Sequence, residues 1–369
     1  MPTGQESDKL DPTMSEHSTT SRRTRLRTYL AAWYALFIVY GSLSPFTGWQ
    51  EQGLDFFAVL AAPLGQTYTW FDTVVNLLAY FPFGLLLGLT LRARLGAGWT
   101  LLLAIMGGAA LSAAMEYAQM YLPSRTSSNL DLLANSAGAL AGALLAVSIA
   151  PRAWFALHLR RWRTRLFHTH ASRDFGLALV ALWMFAQVNP SLPMLGNVFI
   201  SEVVRPLFEV IHDEPFSWLE SMAVALNLLM LGMLLLTLLR QRRHAASALL
   251  LVLCLVALAK FVAAAVLLKS WALLLWLNSE AVLGIFAGVL LLVAAGGLPR
   301  TRLIWVAAFT ALSYVVLAHW VLDSGAPSAA MRLYQWRYGH LLNYNGLSQT
   351  IALVFPFLLL GYLWRVRSR

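Results

Sequence analysis

Long apolar runs alternate with short polar or basic connectors along almost the whole 369-residue chain. Several of these runs reach the ~20 residues that a helix needs to cross a bilayer. The first extends from about Leu30 to Phe46 and stops at Ser44-Pro45. Three more follow at Trp70–Leu91, Trp99–Leu122 and Leu130–Ala150. The remainder of the chain adds six: Phe175–Pro190, Trp218–Leu239, Ala246–Leu268, Trp271–Ala295, Leu303–Val321 and Gly346–Trp364. Asp55 to Leu64 is apolar but too short to cross, which suits an interfacial or re-entrant segment. The pattern predicts an all-α, polytopic transmembrane helical bundle of about ten spans.

Charge orients the bundle. Arginines gather at Arg22–Arg27, Arg92/Arg94, Arg152–Arg173, Arg240–Arg243, Arg300/Arg302 and Arg365–Arg369, while the intervening connectors carry mostly acids. Ten spans with both termini in the cytoplasm place nearly all these clusters on the inner side of the inner (cytoplasmic) membrane, as the positive-inside rule requires. The exceptions are Arg125, Arg205, Arg332, Arg337 and Lys260. Domain boundaries follow: a basic cytoplasmic tail free of structure over 1–28, a four-helix domain over 29–150, a basic connector over 151–174 and a six-span domain over 175–369.

Composition agrees, with 59% hydrophobic and 12% charged residues; the apolar excess belongs in lipid. The net charge of +10 does not imply nucleic acid, because the basic residues punctuate the spans. The connector, with its aromatics and three histidines, reads as an interfacial helix on anionic lipid. Tryptophans near span ends (Trp49, Trp70, Trp99, Trp218, Trp271, Trp320, Trp364) are interface anchors. Cys254 is the one cysteine and is expected to pack rather than react. The first apolar run is long and lacks a small-residue cleavage site, so it is expected to stay as an anchor.

The chemistry concentrates between Ala114 and Gly142. Glu116 and Gln119 share a helical face near one span's end. Pro123 and the Ser/Thr/Asn cluster around Arg125 make a loop. Asp131, Asn135, Gly138 and Gly142 then draw one stripe down the next helix. Small residues at that spacing admit a close neighbour, and the span carrying Gly84 and Gly88 is the expected one. Asp72 and Asn76 open the second span, so the topology brings all seven polar groups toward the extracytoplasmic face.

The ordered set Glu116-x-x-Gln119, Pro123-x-Arg125 and Asp131-x-x-x-Asn135-x-x-Gly138-x-x-x-Gly142 is similar to the core signature of VanZ-like membrane proteins. Ser42-Leu-Ser-Pro45, Asp72-x-x-x-Asn76 and Phe81-Pro-Phe-Gly84 resemble that family's earlier helices. The resemblance runs from Leu30 to about Ala150. It implies a role at the cell envelope and in glycopeptide susceptibility.

Acids and amides at membrane depth normally face the protein interior or a water-filled cavity. Asp72, Asn76, Glu116, Gln119, Arg125, Asp131 and Asn135 are therefore the candidate binding residues, for a lipid-linked or cell-envelope headgroup among membrane lipids. Arg125 is expected to meet a phosphate or carboxylate bidentately. The structural alternative pairs Arg125 with Glu116 or Asp131 as a lock, with Asp131 capping its own helix and Asn76 and Asn135 serving as interhelical hydrogen-bond groups. Two further readings stay open: an outer-leaflet transferase or hydrolase using Glu116 or Asp131 as base, and a proton-coupled transporter. The sequence calls for no cofactor and no metal; His319 and Asp323, four apart, are too few ligands. Lys260 and Lys269 are expected to snorkel or pair with Glu280. Asn227-Leu-Leu before Arg240 echoes Asn76-Leu-Leu before Arg92, and Phe355-Pro-Phe echoes Phe81-Pro-Phe. These echoes leave a duplication open, since the Glu-Gln-Arg-Asp-Asn set does not recur.

Overall fold

Several helices begin or end in the computed structural model at local capping and breaking signals. It describes residues 25–63, 70–149, 161, 163–167, 171–200, 216–322, 325–336 and 339–367. Helix α1 (Leu26–Leu43) ends just before Ser44-Pro45. A short α2 (Phe56–Ala61) starts where the Asp55 side chain accepts from the Phe57 amide, and it exposes Phe57, as an interfacial segment does. Helices α3 (Trp70–Leu91), α4 (Ala97–Gln119) and α5 (Asn129–Ser148) complete the first group. The second contains α6 (Ala171–Gln187), α7 (Trp218–Leu238), α8 (Ala245–Leu267) and α9 (Ser279–Gly296). Two last helices follow: α10 (Arg300–Val316), continued by a π turn to Val321, and α11 (Gly339–Arg367).

Among the described residues the protein is all-helical, and eight helices are long and apolar enough to cross a membrane. Helices α1 and α6, at 18 and 17 residues, bring the number to the ten that the apolar runs predict. Broad apolar faces remain exposed, such as Leu251, Leu255, Leu258 and Val262 on α8. Such faces need lipid, and the protein is a multi-pass membrane protein.

Some expectations shift. The eighth span starts later than Trp271, because residues from Ser270 form a 3₁₀ turn and Asn278 caps α9 at the Ala281 amide. The tenth starts earlier, at Gly339. Arg173, expected on the connector surface, lies in α6, is buried, and bonds the Thr237 carbonyl. Most of that connector, His168, His170 and Asp323 lie outside the described residues. Cys254 sits on the outer face of α8 rather than in the core.

The most extensive helix contact joins α3 and α5. Gly138 lies against the Leu77 carbonyl, Gly142 against that of Phe81, Gly84 against Ala139 and Gly88 against Ala143 and Ala146. Residue numbers rise together along both helices, so they run parallel, and a side chain at these glycines would strike backbone. The predicted stripe and its predicted partner therefore meet.

A second seam of the same kind joins α7 and α9. Gly284 lies against the Ser221 carbonyl and Gly288 against that of Ala225. In fact the whole order repeats: α6, α7, α8 and α9 begin roughly 145 to 150 residues after α1, α3, α4 and α5, with similar lengths. Helices α1 and α6 pack on each other in parallel, with Tyr29 on Phe175 and Phe37 stacked on Phe185 at 4.5 Å. The repeat is not the one the sequence echoes suggested. Ala225, against Gly288, occupies the place of Leu77, against Gly138, so Asn227 is not the counterpart of Asn76, and Phe355-Pro-Phe lies in α11, which has no counterpart. Helices α10 and α11 cover α7 and α6, leaving α7 almost wholly buried.

Candidate functional site

The carbonyls at the end of α1 organise the site. A helix C-terminus leaves its last carbonyls without intrahelical donors and carries partial negative charge. Arg125 Nη2 donates to the Ser44 carbonyl at 2.7 Å and the Gly41 carbonyl at 3.3 Å. Gln119 Nε2 donates to the Ser42 carbonyl at 3.0 Å, and Asn343 of α11 donates to that of Gly41 at 3.2 Å. The lock expected between Arg125 and Glu116 or Asp131 is not what forms: Arg125 makes no ion pair among the described residues. Its fork is half committed to backbone, which removes the expected bidentate grip and leaves Nη1 and Nε. Partial burial lowers its pKa from the ordinary arginine value.

Glu116 is 4% exposed and holds the start of α5. Its Oε2 accepts from the Ser128 amide at 2.8 Å and the Ser127 hydroxyl at 3.0 Å. Its Oε1 has no hydrogen bond among the described residues. Ser128, not Asp131, caps α5 by accepting from the Leu130 amide at 3.1 Å. Asp131 lies in the first turn of α5 and accepts from Asn76 Nδ2 at 2.5 Å, which ties α5 to α3. Acids at both positions suit the positive ends of helices.

All seven candidate residues (Asp72, Asn76, Glu116, Gln119, Arg125, Asp131, Asn135) line one cavity of about 450 Å³, a size that suits a small ligand or headgroup. One end is polar. The rest is walled by Tyr34, Phe37 and Ile38 of α1, Val75 and Ala79 of α3, Phe185 of α6 and Leu347 of α11. One polar atom there is buried and lacks a partner among the described residues, Asn135 Oδ1, in a residue 6% exposed; the buried Tyr80 hydroxyl lies beside it, with Ser112 as its neighbour. Asn135 uses only Nδ2, which donates to Ser112 at 2.9 Å. Buried polar groups are seldom left unsatisfied, which marks Asn135 Oδ1 out among the groups near the cavity.

Sequence reasoning missed Tyr80, Ser112 and the three α11 residues His340, Asn343 and Tyr344. Tyr80 is one turn after Asn76, and Ser112 one turn before Glu116, so helical spacing already put both on the right faces. Nothing local marks the α11 residues, which arrive by long-range packing.

Residues 13–150 match the VanZ/LLP1 family model, so the resemblance read from Leu30 to Ala150 is borne out for this N-terminal portion. No curated protein and no solved structure matches the chain. Phe185, His340, Asn343, Tyr344 and Leu347, which close the cavity, lie beyond the matched portion.

Proposed function

We propose that this cavity receives the polar headgroup of an envelope amphiphile, a lipid-linked or related cell-envelope intermediate, from the outer side of the inner membrane. The observation that carries the reading is one cavity that gathers the candidate set of three acids, three amides and Arg125, with the buried Asn135 Oδ1 unpartnered among the described residues at its wall. In the proposed orientation both termini are cytoplasmic and the cavity's polar end faces outward. Arg125 meets an anionic group through Nη1 as a single charge-assisted contact. Asp72, Glu116 and Asp131 accept from hydroxyl or amine groups, and the aromatic wall takes the adjoining apolar part. Binding in this way influences envelope properties, and the resemblance to VanZ-like proteins extends the proposal to glycopeptide susceptibility.

The test is complementation of a deletion strain with the intact gene, Glu116→Gln and Arg125→Lys, reading lipid and envelope-precursor composition and glycopeptide susceptibility against membrane protein level. Headgroup binding predicts that Arg125→Lys, whose single ammonium cannot hold the α1 carbonyls and meet the anionic group from a second nitrogen, loses more function than its protein level accounts for, while Glu116→Gln keeps much of it. Full complementation by both would refute the proposal. A complete loss in Glu116→Gln at normal protein level would point instead to proton transfer or catalysis at that carboxylate.

A further inference from the structure

The repeat allows each half to be laid against the other. The first half leaves α1 through Gly41-Ser-Leu-Ser44-Pro45, where Arg125 bonds the Ser44 carbonyl. The second leaves α6 through Ala186-Gln-Val-Asn189-Pro190. There Lys260 Nζ donates to the Asn189 carbonyl at 2.6 Å, the Leu192 carbonyl at 2.7 Å and the Pro193 carbonyl at 3.5 Å. Ser44 and Asn189 each precede a proline and hold corresponding places in the repeat. A cation caps that carbonyl in both halves.

The two cations arrive from different directions. Arg125 comes from the loop after α4 and reaches the carbonyls from the cavity's end. Lys260 comes from within α8, about two turns before its end. The corresponding stretch of α4 is Ser112 to Glu116, and Met115 and Glu116 there form the cavity wall. Lys260 corresponds to Ser112, one turn before the cavity residue Glu116, and a long side chain from there to the carbonyls after the first helix would run along the face that borders the cavity. Lys260 is 0% exposed and makes no ion pair among the described residues, and the three carbonyls match its three N–H donors. Ionisable groups at membrane depth are rare and are held by such partners. The expected partner, Glu280, is engaged elsewhere, by the Ser217 amide and the Ser279 hydroxyl.

We propose that the second half retains a closed copy of the cavity, a latent site for a primary ammonium that the Lys260 side chain itself fills. Lys260→Ala empties it and leaves three carbonyls facing a space the size of the lost group. The purified full-length variant is heated in detergent with n-propylammonium chloride, with tetramethylammonium chloride and sodium chloride at equal ionic strength as controls. The expected result is a rise in the variant's Tm of about 2 °C with n-propylammonium at tenfold its Kd. Tetramethylammonium lacks N–H donors and gives no rise, and the wild type responds to none of the three. Equal shifts for all salts, or for variant and wild type alike, overturn the proposal. A second measurement holds if the variant does not fold: an experimental structure of the wild type with α6–α9 superposed on α1 and α3–α5. Lys260 must then fall inside the volume that Gly41, Met115 and Glu116 border. A side chain outside that volume overturns the proposal.

Discussion

Adding one methyl group to Gly138 tests the seam on which the site is built. In Gly138→Ala the new Cβ runs into the Leu77 carbonyl oxygen, with the carbonyl carbon at 3.0 Å and Cα at 3.1 Å. Carbon atoms prefer about 3.5–4.0 Å, and backbone cannot rotate away as a side chain can. Helices α3 and α5 must therefore part by roughly 0.5–1 Å, which forfeits about a quarter to a half of each contact's attraction. Gly84, Gly88 and Gly142 share that seam, so the loss spreads along it. Overpacking of this kind costs about 1–3 kcal/mol, and the better helix propensity of Ala returns about 0.5–1 kcal/mol. The net is roughly 1–2 kcal/mol of destabilisation, or about 5–30-fold in the folding equilibrium. Gly361→Ala is the control: it lies in α11, and a Cβ there meets nothing within 4 Å, so only the propensity gain remains. Thermal unfolding of both variants in detergent, followed by tryptophan fluorescence, should put Gly138→Ala below wild type and Gly361→Ala at or above it. Equal midpoints would refute the close α3–α5 contact.

Arg125→Ala removes two charge-assisted bonds to the α1 carbonyls and should lower stability by about 1.5–3 kcal/mol; Arg125→Lys keeps a charge there and should recover about half, measured by the same unfolding assay. Asn135→Ala should leave room for water beside Tyr80 and keep partial function, whereas Asn135→Leu should abolish function with a smaller change in protein level, measured by complementation against membrane abundance. Topology reporters fused after Thr69, Ser128, Pro215 and Gly325 should read outside, and those after Arg94, Arg163, Arg243 and Arg369 inside. A cytoplasmic reading at Ser128 would place the cavity's polar end on the wrong face.

Local signals carried much of this structure. Apolar runs bounded by arginines located the helices, because lipid demands length and hydropathy from each span by itself. Gly138 and Gly142 announced a close helix contact, since small residues at that spacing have few other uses in a membrane. Helix ends were harder to read. In α9 the capping Asn278 stops a run that hydropathy alone starts at Trp271, and in α11 a polar stretch from Gly339 to Asn345 is helical because tertiary packing holds it. The seven candidate residues share a cavity, yet the partners of Arg125 are not the expected ones. Its charge suggested a carboxylate, whereas the α1 carbonyls are nearer and carry no residue signature. The recurring helix order was equally hidden, because it shows only in helix lengths, glycine seams and a capped carbonyl, with Arg125 at the cap in one half and Lys260 in the other.

The central claim is that the cavity beside Asn135 and Tyr80 holds a polar headgroup. The most direct measurement is native mass spectrometry of the full-length protein released from its own membranes, wild type against Asn135→Leu. The account predicts an adduct of defined mass on the wild type that is absent from the variant, whereas bulk phospholipid adducts appear equally on both. Identical adduct spectra, from two proteins that unfold at the same temperature, would contradict it.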